Sequence, residues 1–260
     1  MARASSRASK SNHQLSEDTG LSLRLDGAAD MVPYIWAHRG ASSRAPENTM
    51  AAFELGVESG ADGIELDVHL SRDGVPVVIH DETLQRTTNG HGAVGRYNLS
   101  SLRKLDAGSW FGPEWYGERI PTLEEVLSWS GSTIRINIEI KTASAGRVVL
   151  ELLEAWPGNP VLISSFDHRL LAAVRRLNAE IPLGFLCDSR LWRRDLERAV
   201  HAGAESFHPR IDRLSPAMIK ACRGGRLKVF PYTVDEPQVM RSLLRRGVDG
   251  WFTNEPATLY

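Results

Sequence analysis

The chain has 260 residues, and its 31 Lys and Arg against 32 Asp and Glu leave a formal net charge of −1, so no global field draws it to nucleic acid or to an anionic membrane. A hydrophobic fraction of 42% is that of a globular protein able to bury one sizeable core, as one large α/β domain or two small ones. Two cysteines, Cys187 and Cys222, sit in no metal-type spacing and read as buried side chains in a reducing compartment. No run approaches the ~18 apolar residues of a membrane span. A cytoplasmic protein without stable membrane insertion is predicted, and the sequence is silent on oligomeric state.

Residues 1–32 are rich in Ser, Ala and Arg and show no apolar period. They read as a disordered tail without the apolar stretch of a secretory signal, and Glu17 and Asp18 speak against a transit peptide. Residues 33–260 form the predicted domain. It opens on the strand pattern "YIWAH" and the helical pattern "NTMAAFELGVESG", with Asn48 as its N-cap and Glu47 at its entrance, where a carboxylate either complements the helix dipole or touches a metal or a ligating group. "GIELDV" follows. "PVVIHD" comes back after only "SRDGV", too short for a parallel crossover, so it pairs as a hairpin turning at Asp73-Gly74. That pairing sets His80 roughly opposite Glu65 to Asp67. Residues 82–120, polar and Gly-rich with scattered aromatics, read as an insertion that starts at the rim of the site. Its Trp110, Phe111, Trp115 and Tyr116 form a satellite core or line an apolar channel. Then "RINIEIK", "VLISSF", "PLGFLC", "ESFHPR", "KVFPYTV" and "GWFTN" alternate with amphipathic helical patterns, two of them capped by Asp167 and Ser215. Hairpin aside, eight parallel strands remain, the number that closes a (β/α)8 TIM barrel; an open doubly wound sheet is the alternative.

In such a barrel chemistry gathers at the C-terminal strand ends. Glu65 and Asp67 are two apart and share a face, and Glu139 comes from the next parallel strand, followed two on by Lys141. Carboxylates inside an apolar strand are costly unless paired or bound to a cation. These three suit a hard divalent ion with oxygen ligands; the competing reading is a set of ion pairs, Glu139 with Arg135 or Lys141 and Asp67 with Arg39. His38 and His80 end strands beside them and fit a base and an acid. Arg39 and Lys141 supply positive charge for an anion such as phosphate. The whole reads as metal-assisted hydrolysis of a phosphate ester. His69 lies further along the hairpin, and His208 ends a strand from which the pocket is within reach. His168 reads as helix surface, and Phe166 and Phe185 as packing or pocket wall.

Taken together, "AHRGASSRAPENT", "GIELDVHLSRDGVPVVIHDETLQRTTNGHG", "IPTLEEVL", "NIEIK", "YTVD" and "GVDGWFTNEP" resemble the glycerophosphodiester phosphodiesterase family, a group of PLC-like phosphodiesterase TIM barrels, from residue 34 to 256. The resemblance implies the barrel with its insertion, one divalent metal ion (Mg2+ or Ca2+), and hydrolysis of small glycerophosphodiesters to sn-glycerol 3-phosphate and an alcohol. It implies Glu65, Asp67 and Glu139 as metal ligands, His38 and His80 as the acid/base histidines, and Arg39 and Lys141 as phosphate-holding groups. It does not say which histidine is base and which acid; the preferred reading takes His38 as base. Tyr232 would line the glycerol or head-group side. The chain departs from the commoner family pattern at Tyr232 and Asp235, where Trp and Asn are frequent, and at Asn254, where Asp is frequent. A phospholipase D-type enzyme acting on lysophospholipids is the neighbouring alternative, and a non-catalytic phosphate-ester binding protein the remote one.

Overall fold

A computed structural model describes residues 32–259, so the predicted tail lies, but for its last residue, outside the described residues. In chain order the elements are β1 (Tyr34–His38), α1 (Met50–Glu58), β2 (Gly63–Leu70), β3 (Pro76–Val78), α2 (Leu99–Leu102), α3 (Leu123–Ser130), β4 (Arg135–Ile140), α4 (Ala145–Glu154), β5 (Val161–Ser165) and α5 (His168–Leu177). After them come β6 (Leu183–Cys187), α6 (Trp192–His201), β7 (Ser206–Pro209), α7 (Pro216–Gly224), β8 (Lys228–Val229), α8 (Pro237–Arg246) and β9 (Gly250–Thr253). The strands hydrogen-bond in the order β8-β7-β6-β5-β4-β2-β1-β9, all parallel, with β3 antiparallel on β2. Beyond β8 the chain stays extended, and backbone bonds close the ring. Asp249 N–H donates to the Val229 carbonyl at 3.1 Å, Phe252 N–H to Pro231 at 3.0 Å, and Val234 N–H to Phe252 at 2.8 Å. The predicted TIM barrel is therefore present. β8 is shorter than the pattern "KVFPYTV" suggests, since Pro231 has no N–H to give to a ladder.

Period-two alternation decides what the barrel does with its side chains. Ile64, Leu66, Val68, Ile136, Ile138 and Ile140 pack outward with Phe53, Leu127 and Val149 of the helices, in one buried apolar cluster. Each such side chain contributes roughly 1.5–3 kcal/mol, and together they hold β2 and β4 in register. The residues between them, Glu65, Asp67 and Glu139, are thereby turned inward. Below them the barrel is plugged by Trp36, Phe230 and Phe252, Trp36 stacking on Phe252 with centroids 5.9 Å apart.

The β2–β3 hairpin forms as predicted. Gly74 takes a φ of +80°, the left-handed region that suits glycine, and its N–H donates to the Ser71 carbonyl at 3.0 Å. Val68 pairs with Val78, and Ile79 N–H donates to the Asp67 carbonyl at 2.9 Å, which sets His80 over the two carboxylates. The inserted residues build a small aliphatic core from Leu84, Val94, Leu102, Ala107 and Ile120 against Val77 and Ile79 of the hairpin. The four aromatics are not part of it. Trp110 packs edge-on against Phe111, Tyr116 is 79% exposed, and none of the four lines the cavity at the strand ends.

Candidate active site

Glu65, Asp67 and Glu139 are all buried, and one oxygen of each lies within 4.8 Å of the others. Burial and the neighbouring carboxylates raise Glu65 well above the usual carboxylate range. Burial and the Asp67 charge raise Glu139 to about 7. Asp67 stays low although burial opposes it, because Lys141 and Arg39 outweigh the desolvation. Lys141 Nζ stands 2.6 Å from Glu139 Oε1 and 3.0 Å from Asp67 Oδ1, and Arg39 Nε 3.3 Å from Asp67 Oδ2. Arg135 turns away to Glu205 at 2.7 Å, so of the two partners considered for Glu139 the structure selects Lys141. Ion pairs do not balance the cluster, since three carboxylates face two cations. Asp67 Oδ1 is buried and accepts no well-directed hydrogen bond. Three buried carboxylates against two cations, two of them raised by burial and by their neighbours' charge, fit a divalent cation bound among them.

The loop after β1 delivers Arg39 and supports the cluster from one side. Arg39 holds φ at +59°, a left-handed conformation costing a non-glycine residue roughly 1–3 kcal/mol, and its N–H donates to Glu65 Oε2 at 2.9 Å. A side chain at Gly40 would overlap the Ala52 backbone. Asn48 is not the helix cap predicted. Its Nδ2 donates to Asp67 Oδ2 at 2.8 Å while its Oδ1 accepts the Asp67 N–H at 3.2 Å, and Thr49 caps α1 instead, accepting from Ala52 N–H. Glu47 likewise does not serve the helix dipole, as α1 has no acidic residue in its first turn. It bonds Arg39 Nη1 at 2.8 Å and both terminal nitrogens of Arg86 at 2.7 and 2.9 Å.

The two histidines meet different Nδ1 partners. His38 Nδ1 lies 2.8 Å from Asn254 Oδ1. Asn254 Nδ2 donates to Asp235 Oδ2 at 2.7 Å, so the amide must show its oxygen to the ring. The ring then carries its proton on Nδ1 and presents a free Nε2 lone pair. Burial, and then the Arg39 charge, lower His38 to about 4, which keeps it neutral at pH 7. His80 Nδ1 lies 2.6 Å from Asp81 Oδ1, a carboxylate clamped by Arg86 through bonds of 2.7 and 2.9 Å. His69 Nε2 supports the His80 backbone carbonyl at 3.1 Å.

His38, Arg39, Glu65, His80, Glu139, Lys141 and Tyr232 line one cavity of about 230 Å³ at the strand ends, and Phe166 forms part of its wall. Asp67 braces it from behind through Arg39 and Lys141. His208 is not brought in; it is fully buried in the barrel, bonded to Ser206 Oγ at 2.8 Å. Nor is His168 surface: its Nε2 bonds the Leu186 carbonyl at 2.8 Å and its Nδ1 faces Asp195 at 3.4 Å. A larger open groove of about 1490 Å³ between α5 and α6 meets the site only at Phe166 and Leu186. Sequence reasoning missed Asn48 as a brace, and Asp81, Arg86, Asp235 and Asn254 as partners. The one local signal was Asp81, adjacent to His80.

Two histidines above a buried cluster of three carboxylates, with Arg39 and Lys141 lining the same cavity at the strand ends of a TIM barrel, fit a phosphodiesterase-type hydrolase. The particular family follows from comparison. Residues 38–258 match the glycerophosphoryl diester phosphodiesterase family, and the chain belongs to it; by family it is a phosphoric diester hydrolase. It is 41% identical over 239 residues to a glycerophosphodiester phosphodiesterase of Caldanaerobacter subterraneus subsp. tengcongensis, covering 88% of this chain and 97% of the relative. Among solved structures it resembles an Oleispira antarctica phosphodiesterase in complex with the product sn-glycerol-3-phosphate. That likeness has a TM-score of 0.80 and 32% identity, over 88% of this chain and 95% of the other. A glycerophosphodiester phosphodiesterase from Agrobacterium tumefaciens aligns with a TM-score of 0.79 and 31% identity, over 87% and 98% of the two chains.

Proposed function

We propose that this protein hydrolyses glycerophosphodiesters to sn-glycerol 3-phosphate and an alcohol, with one divalent ion, Mg2+ or Ca2+, held by Glu65, Asp67 and Glu139. The observation that carries the reading is the pairing of two histidines with opposite Nδ1 partners over the carboxylate cluster. An amide partner leaves His38 neutral with Nε2 free to take a proton. A carboxylate partner at Nδ1 orients the His80 ring for proton transfer. His38 takes the proton of the glycerol 2-hydroxyl as that oxygen attacks phosphorus, and His80 gives a proton to the departing alcohol oxygen. With the roles reversed, water then opens the cyclic phosphate to sn-glycerol 3-phosphate. Arg39 and Lys141 face the phosphoryl oxygens, and Tyr232 with Phe166 walls the opposite side. An ion held by these carboxylates would neutralise the cluster and stabilise charge on the phosphoryl oxygens.

The unit that does this is residues 33–260 with its insertion at 82–120. We place it in the cytoplasm on its two-cysteine composition. No helix among the described residues is long and apolar enough to cross a membrane. The insertion aromatics leave the cavity unlined, which favours a water-soluble diester over a lysolipid. The test is release of glycerol 3-phosphate from glycerophosphocholine and from lysophosphatidylcholine, each with Mg2+, Ca2+ or EDTA, beside His80→Ala. Metal-dependent release from the soluble diester, lost in the variant, supports the proposal. Cleavage of the lysolipid alone moves the protein to the lysolipase alternative, and no cleavage with any metal refutes both.

A further inference from the structure

Arg86 belongs to the inserted segment and to no barrel strand, yet its guanidinium grips two carboxylates of the site at once. Nε and Nη2 bond Asp81 Oδ2 and Oδ1 at 2.7 and 2.9 Å, while Nη1 and Nη2 bond Glu47 Oε2 and Oε1 at 2.7 and 2.9 Å. Each carboxylate leads on to a group that faces the cavity. Asp81 Oδ1 lies 2.6 Å from His80 Nδ1, and Glu47 Oε1 accepts from Arg39 Nη1 at 2.8 Å. We infer that Arg86 is a positioning residue that sets both halves of the site together, aiming the proton-donating His80 through Asp81 and the phosphate-holding Arg39 through Glu47.

The two arms differ in kind. Along the first, the carboxylate is the element that fixes which nitrogen of His80 faces the cavity. Along the second, Glu47 Oε1 is shared by two guanidinium groups, so the plane of Arg39 depends on where Arg86 holds that oxygen. Only the planar fork of Arg spans both; a lysine is a point charge that satisfies one centre at a time. The Arg86 side chain is 42% exposed, against 12% for Glu47 and 28% for Asp81, so water reaches the pairs from the Arg86 side and their contribution to stability is modest. Its loss is therefore read in turnover and ligand affinity rather than in melting temperature.

The inference rests on the proposed role of His80 as acid, and the experiment separates the two. The variants Arg86→Ala, Arg86→Lys, Asp81→Asn, Glu47→Gln and His80→Ala are compared with the parent enzyme on glycerophosphocholine and on glycerophospho-4-nitrophenol. The first releases an alcohol that needs a proton; the second releases a phenolate that does not. Affinity for sn-glycerol 3-phosphate is measured beside them by calorimetry. Asp81→Asn is expected to lose about 30-fold in kcat on the choline ester and less than about threefold on the nitrophenyl ester, the signature of a disturbed general acid. Glu47→Gln is expected to weaken glycerol 3-phosphate binding about tenfold and to slow both substrates alike, the signature of a misaimed phosphate clamp. Arg86→Ala shows both signatures, and Arg86→Lys restores neither in full. Unchanged kinetics and affinity in Arg86→Ala overturn the inference. So does an equal loss on both substrates that follows a fall in melting temperature, and Arg86→Lys gives the same reading should the alanine variant not fold. If His80→Ala itself shows no leaving-group dependence, the acid assignment falls. Arg86 is then judged on glycerol 3-phosphate affinity alone, where an unchanged value overturns it.

Discussion

The chain Asp235–Asn254–His38 makes a prediction that can be worked through in numbers. Asp235 accepts from Asn254 N–H and Nδ2 at 2.7 Å each, and from Thr253 Oγ1 at 3.0 Å. A carboxylate only accepts, so Asn254 is forced to point its oxygen at His38, where it also takes the Ser42 hydroxyl at 2.9 Å. Asp235→Asn replaces a charge-assisted bond, worth about 1.5–3 kcal/mol, by a neutral one worth about 0.5–1.5 kcal/mol. The preference for the base-competent tautomer of His38 then weakens by roughly 1–2 kcal/mol, or about 5–30-fold in kcat. Asn254→Asp alone sets two carboxylates in contact, a repulsion of about 4 kcal/mol at surface-like dielectric, and costs more. The double exchange Asp235→Asn/Asn254→Asp again pairs one amide with one carboxylate and regains most of the activity. With the carboxylate now on the His38 side, the acid limb of kcat/KM moves upward from the region set by a base near 4. The assay is glycerol 3-phosphate release from glycerophosphocholine over pH 4–9 for the four proteins. An Asp235→Asn enzyme within twofold of the parent, or a double variant worse than either single one, refutes the reasoning.

The other expected outcomes concern the cation, the clamp and the barrel interior. Mg2+ or Ca2+ at about 100 times its Kd should raise stability to unfolding by about 2.7 kcal/mol; Glu139→Gln should lower that gain, and a melting scan that ignores the ion would remove the metal from the proposal. Lys141→Met should lower kcat/KM about 100-fold through lost charge stabilisation at the phosphoryl group, as read by steady-state kinetics at saturating metal. Burial lowers His208 from 6.5 to about 3, so between those values the unfolded chain binds a proton that the folded chain refuses. Stability on this account is complete above pH 6.5 and falls as pH drops through the window, by about 2 kcal/mol at pH 5 relative to pH 8. Urea unfolding at the two pH values measures it; His208→Leu should shrink the difference by that amount, and an undiminished difference assigns the pH dependence elsewhere.

The barrel was legible because its signals are local. Alternating strand and helix patterns, a five-residue link before "PVVIHD" and charged residues breaking an apolar strand all act within a few residues, and each has one cheap structural answer. Once the isoleucines and leucines of β2 and β4 face the helices, Glu65, Asp67 and Glu139 have only the inside left to them. The loops obey no such period. Asn48 and Thr49 are both good caps, and the choice falls to Thr49 because Asp67, 19 residues on, claims Asn48. Glu47 and Arg86 stand 39 residues apart in segments whose meeting depends on how the insertion folds over the rim. His38 and Asn254 are 216 residues apart and are neighbours only because the barrel closes between β1 and β9. His38, Glu65, His80, Glu139 and Lys141 of the cavity could thus be named from the strand and hairpin patterns, and Tyr232 only through the family resemblance, while the distant residues that set tautomer and aim could not. That division has a physical cause. A strand imposes direction on each side chain singly, but which nitrogen of a histidine carries its proton is set by a partner. Here the partner of His38 is reached only through ring closure, while Asp81, next to His80 in the chain, is held in place by Arg86 of the inserted loop.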